Sequence, residues 1–539
     1  MDARGDDLTI TNARLWTAGQ DRPWSGSITV RDGRIVALGR GSPEQAFGEV
    51  VDAGGRLVTP GIVDAHNHVC LGADPDAVPL DGTKTLDEVH ARIRRWLDDH
   101  PTATWVHATG FDYAVVGGRH PRADDLAPAT RGLPAMVLDY SVHAVVLNRE
   151  ALAAFGITAD TVVVPFGTVE HDPQTGQPTG YINDFATMGL SRAGNAALAA
   201  VSPAYAPDAQ YRGLADALAQ AVRLGITTVV EPQNSVDDIA LFTRARDQGD
   251  MLSRVVAAMF HPVGTTAHEV DEFDQLRRAY DDDHFRVGPI KLYIDDIVEP
   301  HTAAMFEPYA NRPETNGHTY YDPDDFADVL SGLDARGLQC FVHATGDRGV
   351  SMVLDALAEA RRRNGARDSR HQIVHVECTR ASDLPRFAAL GVVACMQPRH
   401  CAPQIVDQWR ENVGEQRWRY AWPMRTLSDA GAVLAFSSDW NVAEMDPLVG
   451  IYTALNRADL DGARSWVPQE RLDLATTLRV YTAGSAYSIF ADGDRGGLEV
   501  GKRADLVVWS DDLFAVEPAA LLKARADLTV VGGQIVHRS

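Results

Sequence analysis

The chain has 539 residues, 45% apolar and 23% charged, which is enough for one large barrel with additions or for two to four ordinary domains. Its 74 acidic and 50 basic residues leave a formal charge of −24, which argues against nucleic acid or an anionic membrane surface as partner. Residues 1–7 lack an apolar core and no run of about 18 apolar residues occurs, so the chain reads as soluble and cytoplasmic; five cysteines without a Cys-x-x-Cys pair read as reduced.

Near the N-terminus, Leu8-Thr9-Ile10, Gly26-Ser27-Ile28-Thr29-Val30 and Arg34-Ile35-Val36-Ala37-Leu38 sit between Gly, Asp and Asn turns, as β-hairpins do. Residues 504–509 and 528–537 read the same way. Residues 1–57 and 490–539 are therefore expected to form one small β-domain that the chain leaves and re-enters.

Next comes Thr59-Pro60-Gly61-Ile62-Val63-Asp64-Ala65-His66-Asn67-His68. Val58, Ile62 and Val63 suit a buried parallel strand. His66 and His68, two residues apart, point to the same side of an extended chain. They can converge on one cation, or they are two surface histidines at a strand end.

From here to residue 489, apolar β-type runs alternate with amphipathic segments, the pattern of repeated βα units. The later strands are expected at 226–230 ending in Glu231, 255–260 ending in His261, and 287–292 containing Lys291. They continue at 340–342 ending in His343, 372–374 ending in His375, 392–396, and 433–436 leading to Asp439. Eight such units predict a (β/α)8 TIM barrel, an α/β fold whose catalytic groups sit at the C-terminal ends of the strands. Residues 72–205 break the rhythm, with their own amphipathic helix at 86–97 and with Pro121, Pro128 and Pro134. They are expected to form an inserted subdomain over the barrel mouth.

His66, His68, His343, His375 and Asp439 thus fall at or just past strand ends. Core strands have no internal reason to end so often in such groups. Lys291 lies among apolar neighbours and is either a paired structural charge or a desolvated amine that CO2 carbamylates to a bridging carboxylate.

The chain resembles the amidohydrolase superfamily, and within it the YtcJ-like branch (amidohydrolase family 3) that includes N-substituted formamide deformylases. The resemblance rests on the residue 59–68 stretch, Ile290-Lys291-Leu292-Tyr293 with Asp295, Thr302-Ala303-Ala304 with Pro308-Tyr309, Val342-His343-Ala344-Thr345-Gly346-Asp347, His375-Val376-Glu377, Ser437-Ser438-Asp439-Trp440 and residues 496–508. It implies a metal-bearing barrel beside a small β-sandwich built from both chain ends. It also implies that His66 and His68 bind the more buried cation, that His343 and His375 bind the more exposed one, and that carbamylated Lys291 bridges them. Asp439 would touch the metal and act as general base and acid. One or two divalent cations, Zn²⁺ by type, and a homodimer are further expectations at the level of the family. Gly118-Arg119-His120-Pro121 and His143 with Asn148 extend the match into the insert. Two departures stand out: Asp296 where the branch usually has Gly, and Glu231 where it usually has Asp. An extra carboxylate near a cationic site could bind a substrate amine, or it could be a solvated loop residue.

Amide hydrolysis needs a strong nucleophile, a polarised carbonyl and a proton for the departing nitrogen. A Zn²⁺-type ion brings bound water to a pKa of roughly 7, and Asp439 can shuttle the proton. His343 and His375 must be neutral to ligate, so activity is expected to fall at low pH. His143 is a candidate for oxyanion or substrate contact or is a structural histidine; Trp409 and Trp440 are substrate-contact candidates beside Glu231 and Asp296, although aromatic residues on a long loop such as that of Trp409 more often simply pack it down. Trp418 and Trp422 share the loop after strand seven with Trp409, while His301 and His400 follow strands four and seven. Ser437-Ser438 lacks the Gly-x-Ser-x-Gly frame of a nucleophile. The expected activity is hydrolysis of a non-peptide C–N bond in a small molecule. Ester or lactone hydrolysis, deamination and decarboxylation use the same kind of centre, and a non-catalytic ligand-binding barrel is the reading from another class.

Overall fold

The computed structural model describes residues 7–70 and 76–539. The first residues of the chain and the expected start of the insert at residue 72 lie outside them. Eight parallel strands pair in chain order: β1 (Ile62–Asp64), β2 (Ile226–Asn234), β3 (Arg254–Phe260), β4 (Phe285–Tyr293), β5 (Cys340–Ala344), β6 (Gln372–His375), β7 (Val393–Met396) and β8 (Val433–Phe436). The sheet closes on itself where the Ala65 N–H donates to the Phe436 carbonyl at 3.2 Å, joining β1 to β8. Val63, Val230, Ala258, Phe341, Val374, Cys395 and Ala435 share one buried cluster, so side chains fill the barrel interior. Outside it, Val350, Val353, Leu354 and Leu357 form the buried stripe of the helix Asp347–Asn364.

The single strand expected across Val58 and Val63 is two strands. Leu57–Pro60 pairs antiparallel with Leu506–Trp509, and only Ile62–Asp64 enters the barrel. Gly61 is the joint between them, and a Cβ there would lie 2.1 Å from Thr227 Oγ1. Both chain ends meet in one eight-stranded sheet with the order Gln534–Arg538, Ala526–Val531, Leu506–Trp509, Leu57–Pro60, Leu8–Leu15, Trp24–Arg31, Arg34–Arg40, and Glu49–Asp52 beside Leu8–Leu15. Its buried side is Leu8, Ile10, Leu15, Ile28, Val30, Val58, Leu506, Val508 and Val530.

A second compact unit comprises residues 69–217 and 233–248, as far as they are described. It has its own seven-stranded sheet, running from Val163–Val164 through Gly167–His171, Pro178–Asn183, Val145–Leu147, Ala135–Asp139 and Val106–Phe111 to Val78–Pro79. Its helix Leu86–Asp99 starts at Thr85, whose hydroxyl accepts the Glu88 N–H, and buries Val89, Ile93 and Leu97. Among the described residues no helix is long and apolar enough to cross a membrane.

The terminal sheet is tied to the start of β3 by a buried ion pair. Arg254 Nε and Nη2 donate to the two oxygens of Asp505 at 2.8 and 3.0 Å, and Asp505 also accepts the Gly532 N–H. Removing one partner strands a buried charge. Arg254→Ala is expected to lower stability by about 3–5 kcal/mol in urea unfolding; a loss below about 1 kcal/mol, the size of a surface pair, would show that the link is not buried in solution.

Candidate metal centre

Four strand ends converge on Asp439, just past β8. The chain bends at Ala65–His66, just past β1, and brings the His66 and His68 rings together, with their centroids 5.1 Å apart. Neighbouring strands hold that segment: the Asn67 N–H donates to the Val230 carbonyl at 2.9 Å, the His68 N–H to Trp440 at 2.6 Å, and the Asp439 N–H back to His66 at 2.9 Å. Asp439 Oδ1 lies 3.4 Å from His66 Nε2 and 3.2 Å from His68 Nε2. Oδ2 lies 3.7 Å from both His375 Nδ1 and His400 Nε2. Lys291, fully buried on β4, brings Nζ to 3.5 Å from His66 Nε2 and stands 4.7 Å from the Tyr293 ring centroid.

Asp439, His375 and Val376 hold positive φ angles of 55°, 78° and 53°. Non-glycine residues keep such backbone only where their surroundings impose it, a common feature of functional sites.

Each approaching histidine of β5 and β6 has one nitrogen engaged. His343 Nε2 pairs with the Asp296 carbonyl at 3.1 Å, and His375 Nδ1 pairs with Gln397 Oε1 at 2.9 Å. Gln397 is oriented in turn by donating Nε2 to Ser437 Oγ at 2.9 Å. Such outer contacts select the tautomer of each ring. Deeper still, Asp64 accepts the N–H and hydroxyl of Ser438 and the amide of Asn67, and Asp295 accepts the N–H groups of Ala304, Thr345 and Gly346. Burial pushes these two carboxyls up to about 6 and about 7.

Burial, with the Lys291 charge adding to it, keeps His66 far below the usual imidazole range. Burial takes His375 down to about 3, so this ring stays neutral well below 6.5, where the sequence alone places its protonation. Burial also lowers the Lys291 amine to about 8, against the pull of the Asp439 charge. Burial works to raise Asp439, but His66, His68 and His375 outweigh it and hold the carboxyl well below its ordinary value.

The donor set suits a cation. Asp439 Oδ1, His66 Nδ1 and His400 Nε2 are buried with no hydrogen-bond partner, which in a native interior calls for an ion or water. His66, His68 and Asp439 form one group whose ligand atoms lie within 4.8 Å of one another, and His375, His400 and Asp439 form another.

The remaining candidates are placed as follows. Glu231 is fully buried, with Oε1 3.8 Å from His68 Nδ1. The Asp296 carboxylate accepts the Thr302 hydroxyl at 2.7 Å. Trp409 is fully buried, donates its indole N–H to Glu377 at 3.0 Å and packs against Trp422 and Trp466. Trp440 is half-buried and contributes its carbonyl to the His68 N–H. His143 lies half-buried in the second unit, after the strand Ala135–Asp139. His301 turns to Asn311 at 3.0 Å. Gln397 escaped sequence reasoning, although its place immediately after β7 is the signal that marks the other site residues.

A parallel eight-stranded barrel thus gathers imidazoles, a lysine and a carboxylate at one end, the arrangement of a (β/α)8 barrel with a polar site at its strand ends. The chain belongs to the amidohydrolase family, whose profile matches residues 49–537. It is 28% identical to the protein LONG AFTER FAR-RED 3 of Arabidopsis thaliana over 98% of this chain and 91% of that one. It is 26% identical to the N-substituted formamide deformylase of Arthrobacter pascens over 98% and 97% of the two chains. The crystal structure of an uncharacterized metal-dependent hydrolase from Pyrococcus furiosus shares the fold, with a TM-score of 0.71 and 24% identity over 95% of this chain and 100% of that one.

Gln397→Leu keeps the volume of the side chain but removes the acceptor for His375. The variant is expected to stay folded and to bind Zn²⁺ about 10–100-fold more weakly in chelator competition; unchanged affinity would show that Gln397 does not orient a ligand.

Proposed function

We propose that this protein hydrolyses a non-peptide C–N bond in a small molecule, an amide, N-formyl or cyclic amide, at a centre that holds one or two divalent cations of the Zn²⁺ type. The observation that carries this reading is the buried Asp439 carboxylate, with two imidazoles on each oxygen. The deformylase relative supports the choice of bond, since its name describes cleavage of N-substituted formamides.

His66, His68 and Asp439 would hold one cation, His343 and His375 would serve a second, and Lys291, carbamylated, would stand between them. A bound ion of this kind supplies an acidified water and polarises the scissile carbonyl. Asp439 stays ionised, so it can take a proton from the attacking water and return it to the departing nitrogen as the C–N bond breaks. His375 stays neutral and keeps a lone pair for a ligand. Glu231 and Asp296 remain candidate contacts for a substrate amine, and Trp440 a candidate substrate contact. Trp409 spends its indole N–H on Glu377 within a buried aromatic cluster.

Elemental analysis of protein purified without chelator tests the centre. About two equivalents of zinc are expected in the wild type, with fewer in Lys291→Ala and with turnover of N-formyl or N-acyl amines by the wild type only. One equivalent, unaffected by the substitution, would make Lys291 structural; none, even after zinc and bicarbonate are supplied, would sink the metal-hydrolase reading.

Carbamylation requires the neutral amine, which attacks CO2 and loses a proton. With the Lys291 amine near 8, the neutral fraction grows as pH rises and saturates above that value. At constant dissolved CO2, recovery of metal binding by stripped protein is expected to quicken up to about pH 8 and then level off. A rate that is flat across this range, or independent of CO2, would exclude the modification.

A further inference from the structure

The ligand set implied by the resemblance leaves His400 unused, yet the fold brings it into the centre. His400 belongs to the short turn Pro398–Cys401 immediately after β7. Its ring lies parallel to that of His375, with centroids 6.2 Å apart and planes within 6°. Its side chain is 12% exposed, and Nε2 is buried without a hydrogen-bond partner, 3.7 Å from Asp439 Oδ2. Gln397, the residue just before this turn, is the acceptor that occupies His375 Nδ1 and frees Nε2 of that ring.

The carboxylate of Asp439 is thereby divided. Oδ1 faces His66 and His68, and Oδ2 faces His375 and His400. Ligands held tetrahedrally at about 2.0–2.1 Å stand about 3.4 Å from one another. Separations of 3.2 and 3.4 Å on Oδ1 and of 3.7 Å between Oδ2 and His400 Nε2 are of that size; the His375 nitrogen nearest Oδ2 is the Nδ1 that Gln397 engages, so that ring would reach an ion through Nε2. A neutral imidazole whose nitrogen is buried, unpaired and aimed at a carboxylate oxygen has no structural return unless something sits between them.

We propose that His400 is a ligand of a divalent cation on the Oδ2 side of Asp439, where it completes a site with His375. This inference deepens the metal reading above and rests on it. Imidazole-rich donors with one carboxylate favour Zn²⁺ and its borderline neighbours over Mg²⁺ or Ca²⁺. Asp439 then serves one cation with each oxygen, and the turn after β7 becomes part of the centre.

The test is titration of chelator-stripped full-length protein with Zn²⁺ by calorimetry, comparing the wild type with His400→Gln and His400→Ala. Two substitutions of different size, with thermal melting of each metal-free variant, separate loss of a ligand from loss of the fold. The wild type is expected to bind in two steps, and both variants are expected to keep one step while the other weakens at least tenfold. Two unchanged steps in either folded variant would overturn the inference and leave the metal reading standing, as would a single step in the wild type that both variants retain. No binding by the wild type would remove both.

Discussion

A buried carboxylate is tolerated only when polar neighbours or a cation take up its charge, and Asp439 is the point at which this chain meets that constraint. Its two oxygens are flanked by imidazoles from the ends of β1, β6 and β7, and the β4 lysine lies beside His66. None of these groups is close to Asp439 in sequence. Their convergence exists only because the sheet closes, with Ala65 and Phe436 as the last rung and the Asp439 N–H held by His66.

A second tier of polar contacts keeps the converging side chains in place. Gln397 sets the proton of His375, the Asp296 carbonyl engages His343, and Asp295 gathers three N–H groups from the loops after β4 and β5. Asp64 likewise ties β1 to the Ser438 turn. These residues fix the orientation of the converging side chains through buried hydrogen bonds. The positive φ angles at His375 and Asp439 fit this picture, since such backbone persists only when the neighbours over-determine it.

Much of this was legible in the sequence. Their spacing marked His66 and His68 as a pair, and β-type runs ending in His343, His375 and Asp439 marked the C-terminal face of a barrel. Lys291 stood out as a charge among apolar neighbours. Other features were not legible. The split of the first strand at Gly61 depends on the Thr227 side chain across from it, and the burial of Trp409 depends on Glu377 and Trp466, which arrive from other segments, as well as on Trp422 of its own loop. The division of Asp439 between two pairs of imidazoles depends on side-chain reach that strand periodicity does not encode.

The sequence by itself determined which residue types end which strands, because the periods of strand and helix and the burial of apolar runs are local properties of the chain. Only the tertiary structure decided which of those residues meet, because distances between side chains on strands hundreds of residues apart follow from barrel closure and loop geometry. It brought His400 from a short turn to within 3.7 Å of Asp439, and it carried Trp409 away from solvent into a packed cluster. Chemistry was written residue by residue along the chain, and the closed sheet turned it into a centre.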